Sequence, residues 1–169
     1  MIAIIDYDAG NIKSVEKAFE LLGQEVILTR DRDVLMKADK VVLPGVGAFG
    51  DAMERLENYG LVTVIHEIIE KGTPFLGICL GLQLLFDSSE EAPGVKGLSV
   101  LPGKIVRFPE SIGMKIPQIG WNALSYPNSG VLFEGIKEGS FTYFVHSYYL
   151  KADNLEDVVA TTDLILPAS

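Results

Sequence analysis

The feature that most constrains this chain is the run Pro74-Phe-Leu-Gly-Ile-Cys79-Leu-Gly-Leu-Gln83-Leu-Leu-Phe86. Its left half, Pro74 to Ile78, is short, apolar and punctuated by Gly, the pattern of a buried strand. Its right half, Leu80 to Phe86, is dense in good helix formers. Cys79 stands at the junction, between Gly77 and Gly81. Gly-x-Cys-x-Gly in that context is the cysteine counterpart of the Gly-x-Ser-x-Gly nucleophile elbow, a strained strand-to-helix turn that exposes its central side chain. Glycine is required on both sides because a Cβ there would collide with the neighbouring strand or helix. The helix N-terminus behind the sulfur favours the thiolate, the reactive form. A lone Cys in an apolar stretch is ordinarily a small core residue. The elbow pattern reverses that reading, and Cys79 is assigned as a nucleophile.

The remainder of the first half alternates strands and helices. Ile2 to Ile5 is a continuous β-branched and apolar run, as in a strand buried on both faces. A turn-rich loop, Asp6-Tyr7-Asp8-Ala9-Gly10-Asn11, leads to a helix with an apolar stripe of Val15, Ala18, Phe19 and Leu22, closed by Gly23. Val26 to Leu28 is a second strand, and the charged stretch Arg30 to Ala38 covers an outer face. Val41 to Leu43 is a third strand. It runs into Pro44-Gly45-Val46-Gly47, whose bare backbone N–H groups could hold an anion. Helices are expected over Phe49 to Asn58 and Leu61 to Lys71, the second with a stripe of Leu61, Ile65, Ile68 and Ile69 and a stop at Gly72. Such alternation implies a mostly parallel sheet covered on both faces, with ligands at the carboxyl ends of its strands. The Gly-rich loop and Cys79 occupy two such ends and are expected to share a pocket.

The second half has weaker helical periodicity. Pro93 to Pro127 is rich in Gly and Pro, with β-prone pieces at Ile105-Val106-Arg107 and Ile119-Gly-Trp121. Ser140 to His146 and Val158 to Thr162 read as further strands. With 169 residues in all, one domain with a substantial core is expected. The formal net charge of −9 argues against nucleic acid as the main partner, since phosphate contacts need a basic surface. No run is apolar enough for membrane insertion, and Met-Ile-Ala-Ile-Ile-Asp reads as a strand rather than a signal peptide. A single Cys excludes an internal disulfide and fits a reducing cytoplasm. No cofactor and no metal are expected.

A cysteine nucleophile usually needs a histidine base and a group that orients it. The two histidines are His66, in an apolar and acidic helical stretch, and His146, at the end of an apolar strand. His66 reads as a partly exposed surface residue. His146 either enters the pocket or hydrogen-bonds in the core. The residues alone do not identify the base.

Several segments together carry a resemblance: Asp6-Tyr7 with Gly10-Asn11, Leu43-Pro44-Gly45-Val46-Gly47, Gly77-Ile-Cys79-Leu-Gly-Leu-Gln83, Pro117-Gln-Ile-Gly-Trp121-Asn122 and Phe144-Val-His146-Ser147-Tyr148-Tyr149. Over nearly its whole length the chain resembles the glutaminase-subunit family of imidazole glycerol phosphate synthases, among the class I (triad) glutamine amidotransferases of histidine biosynthesis. The resemblance implies a flavodoxin-like three-layer α/β fold with a central, mostly parallel sheet. It implies that Cys79 attacks the side-chain amide of glutamine to form a thioester, with the backbone at Val46-Gly47 and the N–H of Leu80 as the oxyanion hole. Gly47, Gln83, Glu91, Ser147 and Tyr148 would hold the glutamine. Ammonia would pass to a barrel-fold synthase subunit, the partner in a heterodimer, with Asn11, Trp121 and Tyr143 toward that interface.

The family closes its triad with His-Pro-Glu after a strand matching Val158-Val159-Ala160-Thr161-Thr162-Asp163, whereas this sequence continues as Leu164-Ile-Leu-Pro-Ala-Ser169. The family's catalytic His and Glu, a final strand and a final helix are therefore expected to be missing from these residues, which alone should hydrolyse glutamine poorly. Three other readings compete: a triad amidotransferase serving carbamoyl phosphate, anthranilate or guanylate synthesis; an inactive docking subunit; and a flavodoxin-type cofactor binder.

Overall fold

The computed structural model describes residues 1–8, 11–110 and 115–163. The expected turn residues Ala9 and Gly10, part of the Gly/Pro-rich stretch (111–114) and the segment from Leu164 to Ser169 lie outside the described residues. The chain forms two compact units, Met1–Pro102 and Gly103–Ser169.

The first unit is a parallel α/β layer structure. Its strands are β1 (Ile2–Ile5), β2 (Val26–Thr29), β3 (Lys40–Gly45) and β4 (Phe75–Cys79), in the order β2-β1-β3-β4 and all parallel. This is the start of the flavodoxin-like order, whose ligand crevice opens at the carboxyl ends of the central strands. β1 is buried at all four positions, as its unbroken apolar run requires. Between strands lie α1 (Ile12–Leu21), α2 (Arg32–Lys37), α3 (Phe49–Asn58) and α4 (Leu61–Glu70). Ile2, Ile4 and Val42 pack with Ile12, Val15 and Phe19 of α1, together with Val26, Leu28, Leu76 and Ile78. Because strand side chains alternate, Ala3, Ile5, Val41 and Leu43 take the opposite face. They too are buried, as are Leu35, Met53, Leu56, Ile65 and Ile68 of α2 to α4, so the central strands β1 and β3 are covered on both faces, while β2 and Phe75 to Ile78 of β4 are half-buried.

Two expected stripes shift. In α1 the inward positions are Ile12, Val15 and Phe19, while Ala18 is exposed and Leu22 is 71% exposed. Leu22 follows the last helical residue, where the chain turns away. Gly23 (φ +73°) donates its N–H to Glu20 and Gln24 donates to Phe19, the paired bonds of a Schellman cap. In α4, Val64 is buried and Ile69 only half so; Gly72 (φ +81°) caps that helix in the same way, with Thr73 N–H bonded to the Ile68 carbonyl. The charged stretch after β2 also forms a helix, α2, capped by Asp31, whose side chain accepts from the Val34 N–H.

The segment around Cys79 departs most from its expected length. α5 spans only Leu80–Gln83. The carbonyls that a longer helix would use are taken by the returning chain: Leu84 accepts from Leu98, Leu85 from Val100 and Leu101, and Phe86 from Ser99. A short strand, β5 (Ser88–Ser89), bridges to Lys96 in the same unit.

The second unit is antiparallel. β6 (Gly103–Arg107) pairs with β9 (Tyr148–Ala152), and β7 (Gln118–Ser125) lies between β10 (Thr161–Thr162) and β8 (Phe141–His146). The strand expected over Val158 to Thr162 shortens to two residues: the Val158 N–H is donated to the Leu155 carbonyl of a 3-10 turn, and the Val158 carbonyl accepts from Asn128 Nδ2 instead of from a strand.

The elbow glycines test the packing directly. An added Cβ at Gly81 would lie 1.8 Å from the Leu43 carbonyl oxygen, which is backbone and cannot yield. Gly81→Ala should therefore lower the unfolding free energy by about 3 kcal/mol or more. Gly47→Ala meets no atom within 4 Å and carries only the strain of φ +98°, about 1 kcal/mol. Denaturant midpoints of the two variants check the contrast, and a Gly81→Ala protein as stable as the parent would contradict it.

Candidate active site

Cys79 is the last residue of β4 and the N-cap of α5, at φ +55° and ψ −117°. A non-glycine residue there carries strain of about 1–3 kcal/mol, held in place by its surroundings. Three glycines supply that hold. A Cβ at Gly77 would sit 2.7 Å from the Gly81 carbonyl oxygen and from Leu82 Cα, one at Gly81 would strike β3, and one at Gly45 would lie 2.7 Å from the Gly81 nitrogen. The turn is thus pressed against β3 with no room for side chains, and Cys79 is left exposed. A single turn of helix sums few peptide dipoles. It offers the sulfur the orphan N–H groups of its first residues, Leu80 among them, rather than the field of a long helix.

Register pairs Cys79 with Gly45, so the end of β3 and the cysteine stand side by side. Pro44, Gly45, Val46, Ile78 and Cys79 line a cleft of about 140 Å³ with Asn11, the N-cap of α1, and Ser14 and Val15 of its first turn. The pocket expected between the Gly-rich loop and Cys79 is therefore present, at the carboxyl ends of β3 and β4. Val46 and Gly47 are exposed, Leu80 is buried and Gln83 is half-buried at the end of α5. Glu91 uses Oε2 to accept the Phe49 N–H at 2.9 Å, supplying the cap that Ala48, the N-cap of α3, cannot.

Two features beside the cleft escaped the sequence reading. Tyr7 is fully buried, and its hydroxyl donates to the Pro44 carbonyl oxygen at 2.8 Å. Burial, opposed by the Arg55 charge and reinforced by the charge of Cys79, pushes the phenol up to about 12. On either side of Tyr7, Asp6 and Asp8 are bound by Arg30 Nη2 at 2.9 and 2.7 Å. Arg30 stacks 4.1 Å over the Tyr59 ring. Tyr59 donates its hydroxyl to Asp8, and Arg55 donates to the Asp8 carbonyl oxygen. The hydrogen bonds from Arg30 and then Tyr59 hold the Asp8 carboxyl below the usual range.

The other expected residues belong to the second unit. Ser147 and Tyr148 stand at the β8–β9 junction, and the Ser147 carbonyl accepts the Phe108 N–H at 3.1 Å. His146 Nδ1 is 2.8 Å from the Tyr148 carbonyl oxygen, among the Phe108 and Phe144 rings. Of the two options left open, His146 thus makes a hydrogen bond inside its own unit. His66 is half-buried on α4. Trp121 and Tyr143 are paired across β7 and β8 with ring centroids 5.4 Å apart, and both are more than half exposed. Among the described residues no three metal-ligating side chains come together.

The model of the class I glutamine amidotransferases matches residues 3–164. The chain is 52% identical over 162 residues to the imidazole glycerol phosphate synthase subunit HisH of Moorella thermoacetica, covering 96% of this chain and 76% of that one. It is 52% identical to the subunit of the same name from Aquifex aeolicus, over 95% of this chain and 77% of the other. The chain belongs to the class I glutamine amidotransferases, in the HisH family. A crystal structure of a glutamine amidotransferase matches with a TM-score of 0.71 over 95% of this chain and 79% of the other; at 19% identity it speaks for the fold alone. Within a class I amidotransferase, the described cleft joins the cysteine elbow to the Gly-rich loop after β3.

The raised Tyr7 value predicts an alkaline signature. The folded chain holds that proton more tightly than the unfolded chain does, so its share of stability is complete below pH about 10 and lost as pH rises toward about 12. Unfolding midpoints measured across that window should fall less in Tyr7→Phe than in the parent. Parallel declines would contradict the assignment.

Proposed function

We propose that this chain is the glutaminase subunit of an imidazole glycerol phosphate synthase, releasing ammonia from glutamine for a synthase partner in histidine biosynthesis. The carrying observation is the strained, exposed Cys79 at the mouth of a cleft beside Val46. Its family membership supplies the substrate class.

In this reading the Cys79 sulfur attacks the amide carbon of glutamine. As the S–C bond forms, the carbonyl π pair moves to oxygen, where the N–H groups at Val46-Gly47 and Leu80 receive it. Each such donor contributes about 3–4 kcal/mol to the transition state. Collapse of the intermediate breaks the C–N bond, the nitrogen leaves as ammonia after taking a proton, and a γ-glutamyl thioester remains. Water then cleaves the thioester to glutamate and restores the thiol. The family resemblance assigns Gly47, Gln83 and Glu91 of the first unit, and Ser147 and Tyr148 of the second, to glutamine binding. Proton transfer calls for the family's His and Glu. These 169 residues contain no His-Pro-Glu, so the residues named here supply binding, attack and oxyanion stabilisation, and neither His66 nor His146 is assigned as the base.

The partner is read as a barrel-fold synthase subunit forming a heterodimer in the cytoplasm. Support comes from the β7–β8 face, where Ile119, Trp121, Phe141, Tyr143 and Val145 are each 51–64% exposed. The register places Ile119 opposite Val145 and Trp121 opposite Tyr143, so they form one apolar sheet face. Such a patch, with an aromatic pair at its middle, suits a protein interface. Asn11, exposed at the N-cap of α1, is the third proposed contact.

Two measurements separate the roles. Cys79→Ala should abolish glutamate release by the complex while leaving partner affinity within about twofold. Trp121→Ala should weaken the partner complex by about 10- to 100-fold, read by calorimetry, with an unchanged circular dichroism spectrum. Glutamate release that persists in Cys79→Ala would overturn the mechanism, and undiminished affinity in Trp121→Ala would overturn the interface.

A further inference from the structure

The loop Gly45 to Ala48 is anchored at both ends and uncovered in between. At its far end Glu91 holds the Phe49 N–H. At its near end stands Tyr7, whose buried hydroxyl reaches the Pro44 carbonyl across 37 positions of sequence. The point where a Gly45 side chain would sit lies 2.8 Å from the Tyr7 oxygen, 2.7 Å from the Gly81 nitrogen and 2.9 Å from Leu80 Cβ. The phenol, the loop backbone and the nucleophile turn therefore meet at one spot. Tyr7 is itself restrained from outside, since Arg30 binds the carboxylates of both its neighbours, Asp6 and Asp8. Asp8 is further tied to Tyr59 and Arg55 of the α3 region.

We propose that Tyr7 is a positioning residue for oxyanion stabilisation: its hydroxyl fixes the Pro44 carbonyl and thereby the orientation of the following Val46-Gly47 peptide, the oxyanion donor beside Cys79. The inference rests on the reading of Cys79 and Val46-Gly47 given above. Geometry explains why one hydrogen bond matters. Val46 is 49% exposed, and a Cβ added at Gly47 would meet no atom within 4 Å, so little packing fixes the peptide between them. Its direction is inherited from Pro44 and Gly45, and oxyanion donors must be aimed before charge develops. Tyr7 does not touch the substrate; the Arg30 network outside keeps the phenol in place.

Tyr7→Phe retains the ring and removes only the donor. The probe is a glutamine analogue whose carboxamide is replaced by a chloromethyl ketone. The Cys79 sulfur adds to its carbonyl to give a thiohemiketal oxyanion. The sulfur then shifts to the methylene carbon through a three-membered episulfonium as the C–Cl bond breaks and chloride leaves. The S–C bond to the former carbonyl carbon opens and the ketone re-forms, so a thioether is made without turnover. Iodoacetamide, which alkylates by direct displacement and develops no oxyanion, is the reference. In Tyr7→Phe, labelling by the ketone should slow about tenfold while iodoacetamide labelling stays within twofold. Amide hydrogen exchange of the peptide spanning Leu43 to Gly50 should quicken, with β2 unchanged. Equal labelling by both reagents in parent and variant, or an equal fall with both, would overturn the proposal. So would unchanged exchange in that peptide. Failure of the parent to label with the ketone in a saturable, glutamine-protected way would instead count against the glutaminase reading. The exchange measurement would still decide whether Tyr7 holds the loop.

Discussion

Everything in the site depends on a backbone-to-backbone contact that only glycine permits. Gly81 lies so close to β3 that any side chain would overlap the Leu43 carbonyl, and Gly77 and Gly45 face similar barriers. That closeness lets a one-turn helix begin directly behind Cys79 and holds the cysteine at positive φ. A looser junction would relax the turn, and the sulfur would move from the cleft mouth toward the core, where free Cys is ordinarily found.

From that contact the rest of the first unit follows as support. The parallel hydrogen-bonded ladder gives β3 and β4 fixed relative heights, and their register sets Gly45 beside Cys79. The Gly-rich loop must then emerge at the same level as Cys79. Its two ends are tied by groups from elsewhere in the sequence, Tyr7 and Glu91. The antiparallel unit carries a different task, with one face of β7 and β8 left apolar and open.

Much of this was legible in the residues. The unbroken Ile2–Ile5 run, the bounds of α3, the Gly stops at Gly23 and Gly72 and the elbow itself all follow from local rules. What was not legible depends on distant partners. The length of α5 is set by carbonyls diverted to Leu98, Ser99, Val100 and Leu101, which no helix propensity of Leu84 to Phe86 reveals. Leu22 fits the apolar period of α1 but falls after the capping turn has begun. By sequence Tyr7 reads as part of a turn-rich loop. Its partner is a main-chain carbonyl of β3, which leaves no mark in side-chain pattern, although the alternation Asp6-Tyr7-Asp8 before Arg30 is a faint signal in retrospect. The residues at Ser147 and Tyr148 came from resemblance to a family, since no local pattern sets them apart.

The central claim is that Cys79 forms a covalent acyl intermediate with glutamine. The most direct measurement is mass spectrometry of the protein quenched in acid after mixing with glutamine and the synthase partner. The account predicts a γ-glutamyl adduct on the peptide carrying Cys79, labile to hydroxylamine as a thioester is, and absent in Cys79→Ser. Glutamate release with an unmodified Cys79 peptide, or an adduct on another residue, would contradict it.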